Sequence, residues 1–325
     1  MSSLRPQGVL IFVVGPRRSG TTLLYNILCS DPGANEHIAE AQPLTQLLDA
    51  LAWSRANYER MTRFFFVSPQ AFASFSEQVC HGFLDNARYA CREPRSLVLK
   101  NPELSRHVAT LHDILPEARF VVSVRDPRDQ VVSELDVMER QVEQGMREPS
   151  GTMRLRRVVR VVRSYLDLSS WSGPRISGVA RAVCDYLGTA AGSRGLIATA
   201  AKNYCDYMIP ILLVADRSPE RFHFVRYEDL VGSTRETIAR LQSFTGLDLS
   251  SFSPDQDWAR MSLTLDQLRA RPSFSELYGR PVTASKVGTY RQRLSPTEID
   301  AVEDVTADIM RRFSYSPSVR AARDG

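Results

Sequence analysis

The 325-residue sequence predicts an α/β fold, three layers deep, with a parallel sheet in the middle and helices on both faces. Three observations lead there. A wholly apolar run, Val9–Val14, breaks at Gly15-Pro16 and passes through a glycine-bearing loop into a helical pattern. Further short apolar runs at Ser96–Lys100, Ala118–Val124 and Arg221–Arg226 are separated by helix-like stretches, and strands joined through helices pair in parallel. A basic residue stands at or just beyond the end of each of the first three runs, namely Arg18, Lys100 and Arg125. Ligands of such sheets lie outside the carboxyl ends of the strands. The expected architecture is therefore P-loop-like, a central parallel sheet flanked by helices.

The first unit of that architecture is Val9–Ser30. Its β-branched and apolar run is too short to be a helix and reads as a buried strand. The loop carries Arg17, Arg18, Ser19, Gly20, Thr21 and Thr22, and Leu23, Leu24, Ile27 and Leu28 then fall on one helical side as far as Asp31-Pro32-Gly33. Backbone N–H groups converging at a helix start, with the helix dipole behind them, suit a phosphate. Gly15-x-x-x-x-Gly20 has the glycine interval of a nucleotide triphosphate loop, but Thr21 occupies the place of its lysine. That lysine reaches the outer phosphates of ATP or GTP. With Arg18 as the fixed cation, the loop suits a shorter anion, one phosphate carrying one transferable group.

From Asp31 to about Arg95 the sequence reads as helix and loop. Glu40, Gln42, Leu44, Leu47 and Leu48 open one amphipathic stretch, and Ser68-Pro69 caps a helix expected to reach Phe83 or Leu84. The second strand ends in Lys100-Asn101-Pro102-Glu103, and the third in Arg125-Asp126-Pro127-Arg128-Asp129, with Ser133 two turns into the following helix. An arginine fork and a serine hydroxyl are both donors for phosphate oxygens. A mainly helical insertion is expected at about 139–199, interrupted by Gly and Ser and containing the basic amphipathic stretch Met153–Tyr165. The rest belongs with the first part in a single domain. A helix over Ala201–Val214 leads to the fourth strand and Tyr227-Glu228-Asp229. Ser233 and Glu236 have the spacing of a capping box for a helix that Gly246 stops, and Ser295, Pro296 and Glu298 open the last helix.

Composition narrows the function classes. A net charge of +4 without a basic tail or metal-ligand spacing argues against nucleic acid as partner. Five cysteines, odd in number and unpaired in spacing, read as reduced thiols of a cytoplasmic chain. The apolar run at Val9–Val14 is too short for a membrane span.

The loop Pro16-x-Arg18-Ser19-Gly20-Thr21-Thr22 resembles the phosphosulfate loop of the sulfotransferases that use 3′-phosphoadenosine 5′-phosphosulfate (PAPS), in a form closer to the bacterial and protein-tyrosine branches. Arg125, Pro127, Asp129 and Ser133 resemble that family's 3′-phosphate motif, VRYEDLV its adenine segment, and Ser285, Lys286 and Gly288 its closing loop. The resemblance implies PAPS as donor co-substrate, with no metal, bound by Arg17, Arg18, Ser19, Gly20, Thr21, Thr22, Arg125, Ser133, Tyr227, Ser285, Lys286 and Gly288. Tyr227 reads equally as a core aromatic.

The acceptor implied is the hydroxyl or amine of a small molecule or glycan, and a homo-oligomer stays open. Arg18 and Lys100 are the cations expected to stabilise the charge that develops on the leaving oxygen. The animal cytosolic branch places its base two residues after the strand lysine, where this chain has Pro102. The protein-tyrosine branch takes a glutamate after the first helix, which makes Glu40 the expected base and leaves Glu36, His37 and Glu103 as alternatives. The competing functions are a P-loop kinase of small molecules and a nucleotide-binding module without catalysis.

Overall fold

The computed structural model describes residues 8–146, 190–256, 258 and 277–318. Their order is β1 (Leu10–Val14), α1 (Thr21–Leu28), α2 (Gln42–Ala56), α3 (Pro69–Ala90), β2 (Leu97–Lys100), α4 (Val108–Ile114), β3 (Arg119–Val124), α5 (Pro127–Met146), α6 (Ala190–Ala215), β4 (Phe222–Arg226), α7 (Tyr227–Gly232), α8 (Thr234–Thr245), α9 (Tyr290–Arg293) and α10 (Pro296–Arg312), with short 3-10 turns between. The described residues fall into two compact units, one holding the whole sheet and the other beginning at Arg125.

The sheet of the first unit runs β2-β1-β3-β4, every pair parallel. The chain leaves β1 toward one edge, crosses back to β3 and continues outward, so the order reverses at β1, the position where such sheets hold ligands. Burial explains the continuous apolar run: Leu10 to Val14 are all within 2% of complete burial, because both faces of a parallel strand are covered. Alternation then sorts them. Ile11 and Val13 pack with Leu24, Tyr25, Ile27 and Leu28 of α1, Val121 of β3 and Ile238 and Leu241 of α8. Phe12 points the other way and stacks on Phe120, which stacks on Phe222, with centroids 5.8 and 4.8 Å apart across three strands.

In the second unit α5 packs on α9 and α10 through Val131, Val132, Tyr290, Leu294 and Val302, with Ile197, Ala200 and Ala201 of α6. The last helix starts as its sequence requires, Pro296 in first place and the Ser295 N–H donating to Glu298 Oε2 at 2.9 Å. Beside this core lies a buried charge cluster. Arg128 donates to Asp126 Oδ2 at 2.6 Å and to Glu303 Oε1 at 2.7 Å, and its guanidinium stands 4.3 Å from the Tyr290 ring centroid. Burial alone would lower the Arg128 pKa, but the hydrogen bond and charge of Asp126, with Tyr290 and Glu303, raise it instead.

Several boundaries differ from expectation. Helix α1 stops at Leu28, before the Asp-Pro-Gly turn, and α3, capped by Ser68 as expected through Ala71 N at 3.1 Å, runs on to Ala90. Ser233 makes no capping bond. Helix α7 runs up to it, its N–H donates to Asp229 O, and its backbone (φ −134, ψ 55) is not the extended form a capping serine adopts. Gly246 does end α8, at φ 73. The flanks of the expected insertion, 139–146 and 190–199, are the end of α5 and the start of α6, so Gly192 and Gly195 lie inside a helix that begins before Ala201. Met153–Tyr165 lies outside the described residues.

Replacing Arg128 by methionine would leave Asp126 and Glu303 buried without their cation. The variant should lose about 3 kcal/mol or more of unfolding free energy, read by urea titration. A loss within about 0.5 kcal/mol would show the cluster to be neutral.

Candidate active site

The loop after β1 is seated by close backbone approach. A side-chain carbon at Gly15, whose φ is +130, would stand 2.3 Å from the Ser123 carbonyl oxygen of β3. Ser105, in the 3-10 turn after β2, fastens the same residue from another side, its hydroxyl accepting from Gly15 N at 2.8 Å and donating to Gly15 O at 3.2 Å. The Ser123 hydroxyl donates to Ser19 O at 2.6 Å, and Ser19 Oγ turns inward to Pro16 O at 2.7 Å. Gly20, at φ +97, has the edge of the Tyr227 ring 2.5 Å from where its Cβ would be. Tyr227 is thus buried against the loop at the start of α7. Arg18 takes a left-handed φ of 63, a strained backbone for a residue with a side chain. As the residue before α1, Gly20 brings no side chain to cap it, so the first-turn N–H groups of Thr21 and Thr22 have no acceptor within the helix.

Lys100, the last residue of β2, is only 4% exposed. Its Nζ donates to Thr22 Oγ1 at 3.0 Å and forms an ion pair with Glu40. Glu40 is brought there by the backbone, because Ala41 N donates to Lys100 O at 2.9 Å just before α2 begins. Its side chain keeps 43% of its surface open to solvent. The structure thereby groups three of the residues expected from sequence, Thr22, Lys100 and Glu40, and adds a fourth. The Tyr278 hydroxyl lies 3.4 Å from Thr22 Oγ1. Burial alone would raise the Tyr278 pKa, but the charges of Arg18 and Lys100 and the hydrogen bond with Thr22 outweigh it and lower the pKa, with Glu40 opposing. No local signal marks Tyr278; it is a single tyrosine 256 positions from Thr22 in a segment without a motif.

Two of the alternative bases, His37 and Glu103, are engaged elsewhere. His37 is buried between the rings of Tyr25, 4.6 Å away, and Trp258, 5.8 Å away. Glu103 accepts from Arg17 Nε at 2.7 Å and from the Tyr207 hydroxyl at 2.5 Å, and pairs with Arg106 at 3.5 Å. Burial, together with the Glu103 charge, pushes the Tyr207 pKa up, which keeps it a donor to that carboxylate. Glu36 is exposed.

In the second unit Asp129, 1% exposed, organises the segment that carries Lys286. Its Oδ2 accepts from Gly288 N at 2.6 Å, and its Oδ1 from the Thr289 hydroxyl at 3.0 Å and Tyr290 N at 2.9 Å. Gly288, at φ 74, makes the bend. Arg125, 5% exposed, donates from Nη2 to Lys286 O at 2.6 Å, and its own carbonyl accepts from Tyr204 at 2.8 Å. The structure therefore brings Arg125 and Lys286 together, with Ser285 and Lys286 exposed and Ser133 half-buried on α5. The sequence showed Asp129 only as a motif position, whereas the folded chain gives it the task of fixing the 288–290 backbone.

Among the described residues no helix is long and apolar enough to cross a membrane. No curated protein matches the chain in sequence. Its fold is similar to that of the sulfotransferase domain from the curacin biosynthetic pathway, with a TM-score of 0.53 and 18% identity over 97% of this chain and 100% of that one. The sulfotransferase domain from the Synechococcus PCC 7002 olefin synthase superposes with a TM-score of 0.49 and 16% identity, over 97% and 98% of the two chains. The parallel sheet flanked by helices and the likeness to the curacin-pathway domain give a P-loop-like fold, as expected. Residues 11–171 match the model of the sulfotransferase family. That span takes in the strand–loop–helix, Lys100 and the segment from Arg125 to Ser133.

Proposed function

We propose that this protein is a sulfotransferase that takes its sulfuryl group from PAPS and passes it to a hydroxyl or amine of a small-molecule or glycan acceptor. The observation that carries the reading is the origin of the cation at the helix start. In a triphosphate loop the lysine comes from the loop itself and reaches outward. Here Thr21 takes that place, and the ammonium comes from the end of β2, where Lys100 reaches the Thr22 hydroxyl at 3.0 Å. A cation delivered from the side, with Arg18 in the loop, fits one phosphate bearing one transferable group better than a chain of three phosphates. The small-molecule kinase alternative loses its support on the same ground.

PAPS supplies the sulfuryl group and an adenosine bisphosphate leaving group. The residues of this chain bind, orient and stabilise. Gly20, Thr21 and Thr22 present backbone N–H groups to the 5′-phosphate, with Ser19 and Arg17 shaping the loop. Arg18 and Lys100 would supply the positive charge that stabilises the leaving oxygen of the donor. Glu40, held beside Lys100, takes the acceptor's proton. Arg125, Ser133, Ser285, Lys286 and Gly288 are assigned to the 3′-phosphate. Tyr227, whose ring lies against Gly20, bounds the loop on the adenine side.

Adenosine 3′,5′-bisphosphate and AMP differ only in the 3′-phosphate. Arg125→Ala should weaken the bisphosphate by about 2–4 kcal/mol in titration calorimetry and leave AMP nearly unchanged, because a buried charged contact loses one partner. Equal weakening of both nucleotides would remove Arg125 from the 3′-phosphate. Glu40→Gln should lower turnover with labelled PAPS about a hundredfold, at similar PAPS affinity, with acceptors drawn from a panel of alcohols, phenols, amines and glycans. Undiminished turnover would exclude Glu40 as the base.

A further inference from the structure

We propose that Tyr278 is a contact residue for the transferring sulfuryl group, its hydroxyl completing the donor set offered by Arg18, Lys100 and Thr22. The inference rests on the reading that PAPS is the donor. Three observations carry it. The hydroxyl is placed at the reacting end of the loop, 3.4 Å from the Thr22 oxygen that also accepts from Lys100 at 3.0 Å. The ring is held there from behind. Trp258 N donates to Gly279 O at 3.2 Å, and the Trp258 ring lies 6.1 Å from Tyr278 and stacks on His37, which meets Tyr25 of α1. A column of four aromatic rings thus runs from the core under α1 to this hydroxyl and fixes its direction. Finally, a tyrosine serving only the core needs one hydrogen-bond partner and no neighbouring charge. The charges of Arg18 and Lys100 act on this one, opposed by that of Glu40, and His37 lies beyond Trp258.

That setting dictates how the group responds to its ligand. The cations favour the phenolate, and an arriving sulfuryl group, itself anionic, favours the neutral phenol that can donate to it. The donor-bound protein therefore holds the Tyr278 proton more tightly than the free protein. PAPS affinity should be level below the free-state pKa of Tyr278, which is lowered from the ordinary tyrosine value, and should fall as pH rises through it.

Tyr278→Phe keeps the ring and removes the hydroxyl. PAPS and adenosine 3′,5′-bisphosphate differ only by the sulfuryl group, so their affinities for the variant and the wild type, measured by calorimetry from neutral to alkaline pH, isolate the contact. The expected result is PAPS binding weakened about tenfold, bisphosphate binding changed less than about twofold, and loss of the tyrosine-linked part of the alkaline fall. Unchanged PAPS affinity, parallel weakening of both nucleotides, or an alkaline fall that persists in full in the variant would each overturn the proposal. A wild-type protein that binds neither nucleotide would instead overturn the PAPS reading itself, and that result is visible before any variant is made.

Discussion

Everything at the loop depends on the absence of a side chain at position 15. Gly15 passes so close to β3 that an added carbon would stand 2.3 Å from the Ser123 carbonyl. That contact sets the height of the loop over the sheet. Ser105 and Ser123 then fasten it from two directions, by the amide and carbonyl of Gly15 and the carbonyl of Ser19. With the loop seated, Arg18 adopts its left-handed backbone, Gly20 can lie on the Tyr227 ring, and α1 starts where Lys100 can reach Thr22. A bulkier residue at position 15 would lift the loop from the strands and separate the helix start from the cation that serves it.

The fold was legible because its determinants are local. A parallel strand buried on both faces must be apolar throughout, so Val9–Val14 announced itself, and all four strands were found within a residue or two of their ends. The loop and the Lys100 and Arg125 positions were legible for the same reason, each sitting next to a strand end. Tyr278 was not, because nothing in its own segment refers to Thr22, and only the folded chain brings two positions so far apart into contact. The pairing of Glu40 with Lys100 stands between these cases. The sequence singled out both residues, but the link is a backbone bond from Ala41 to Lys100, which no side-chain pattern encodes.

Where expectation and structure part, the local rule met a stronger neighbour. Ser233 and Glu236 have the spacing of a capping box, yet α7 ends directly against α8 and leaves Ser233 no extended backbone from which to cap. Gly192 and Gly195 weaken a helix only modestly and are carried inside a long one, so glycine content was a poor guide to where α6 begins. Asp129 was visible as a motif letter, but its three donors lie about 160 positions along the chain, where a sequence reading cannot join them.

That one carboxylate determines when the entropy of the 288–290 segment is lost. Two amides and a hydroxyl of consecutive residues, 288–290, close on Asp129, so their backbone freedom is surrendered on folding, at about 1–2 kcal/mol per residue. If Lys286 meets the donor's 3′-phosphate as proposed, the backbone two residues on is already fixed, and the lysine side chain is what remains to be ordered. Capture there would then be limited by encounter and not by the search of a loose loop for its closed form.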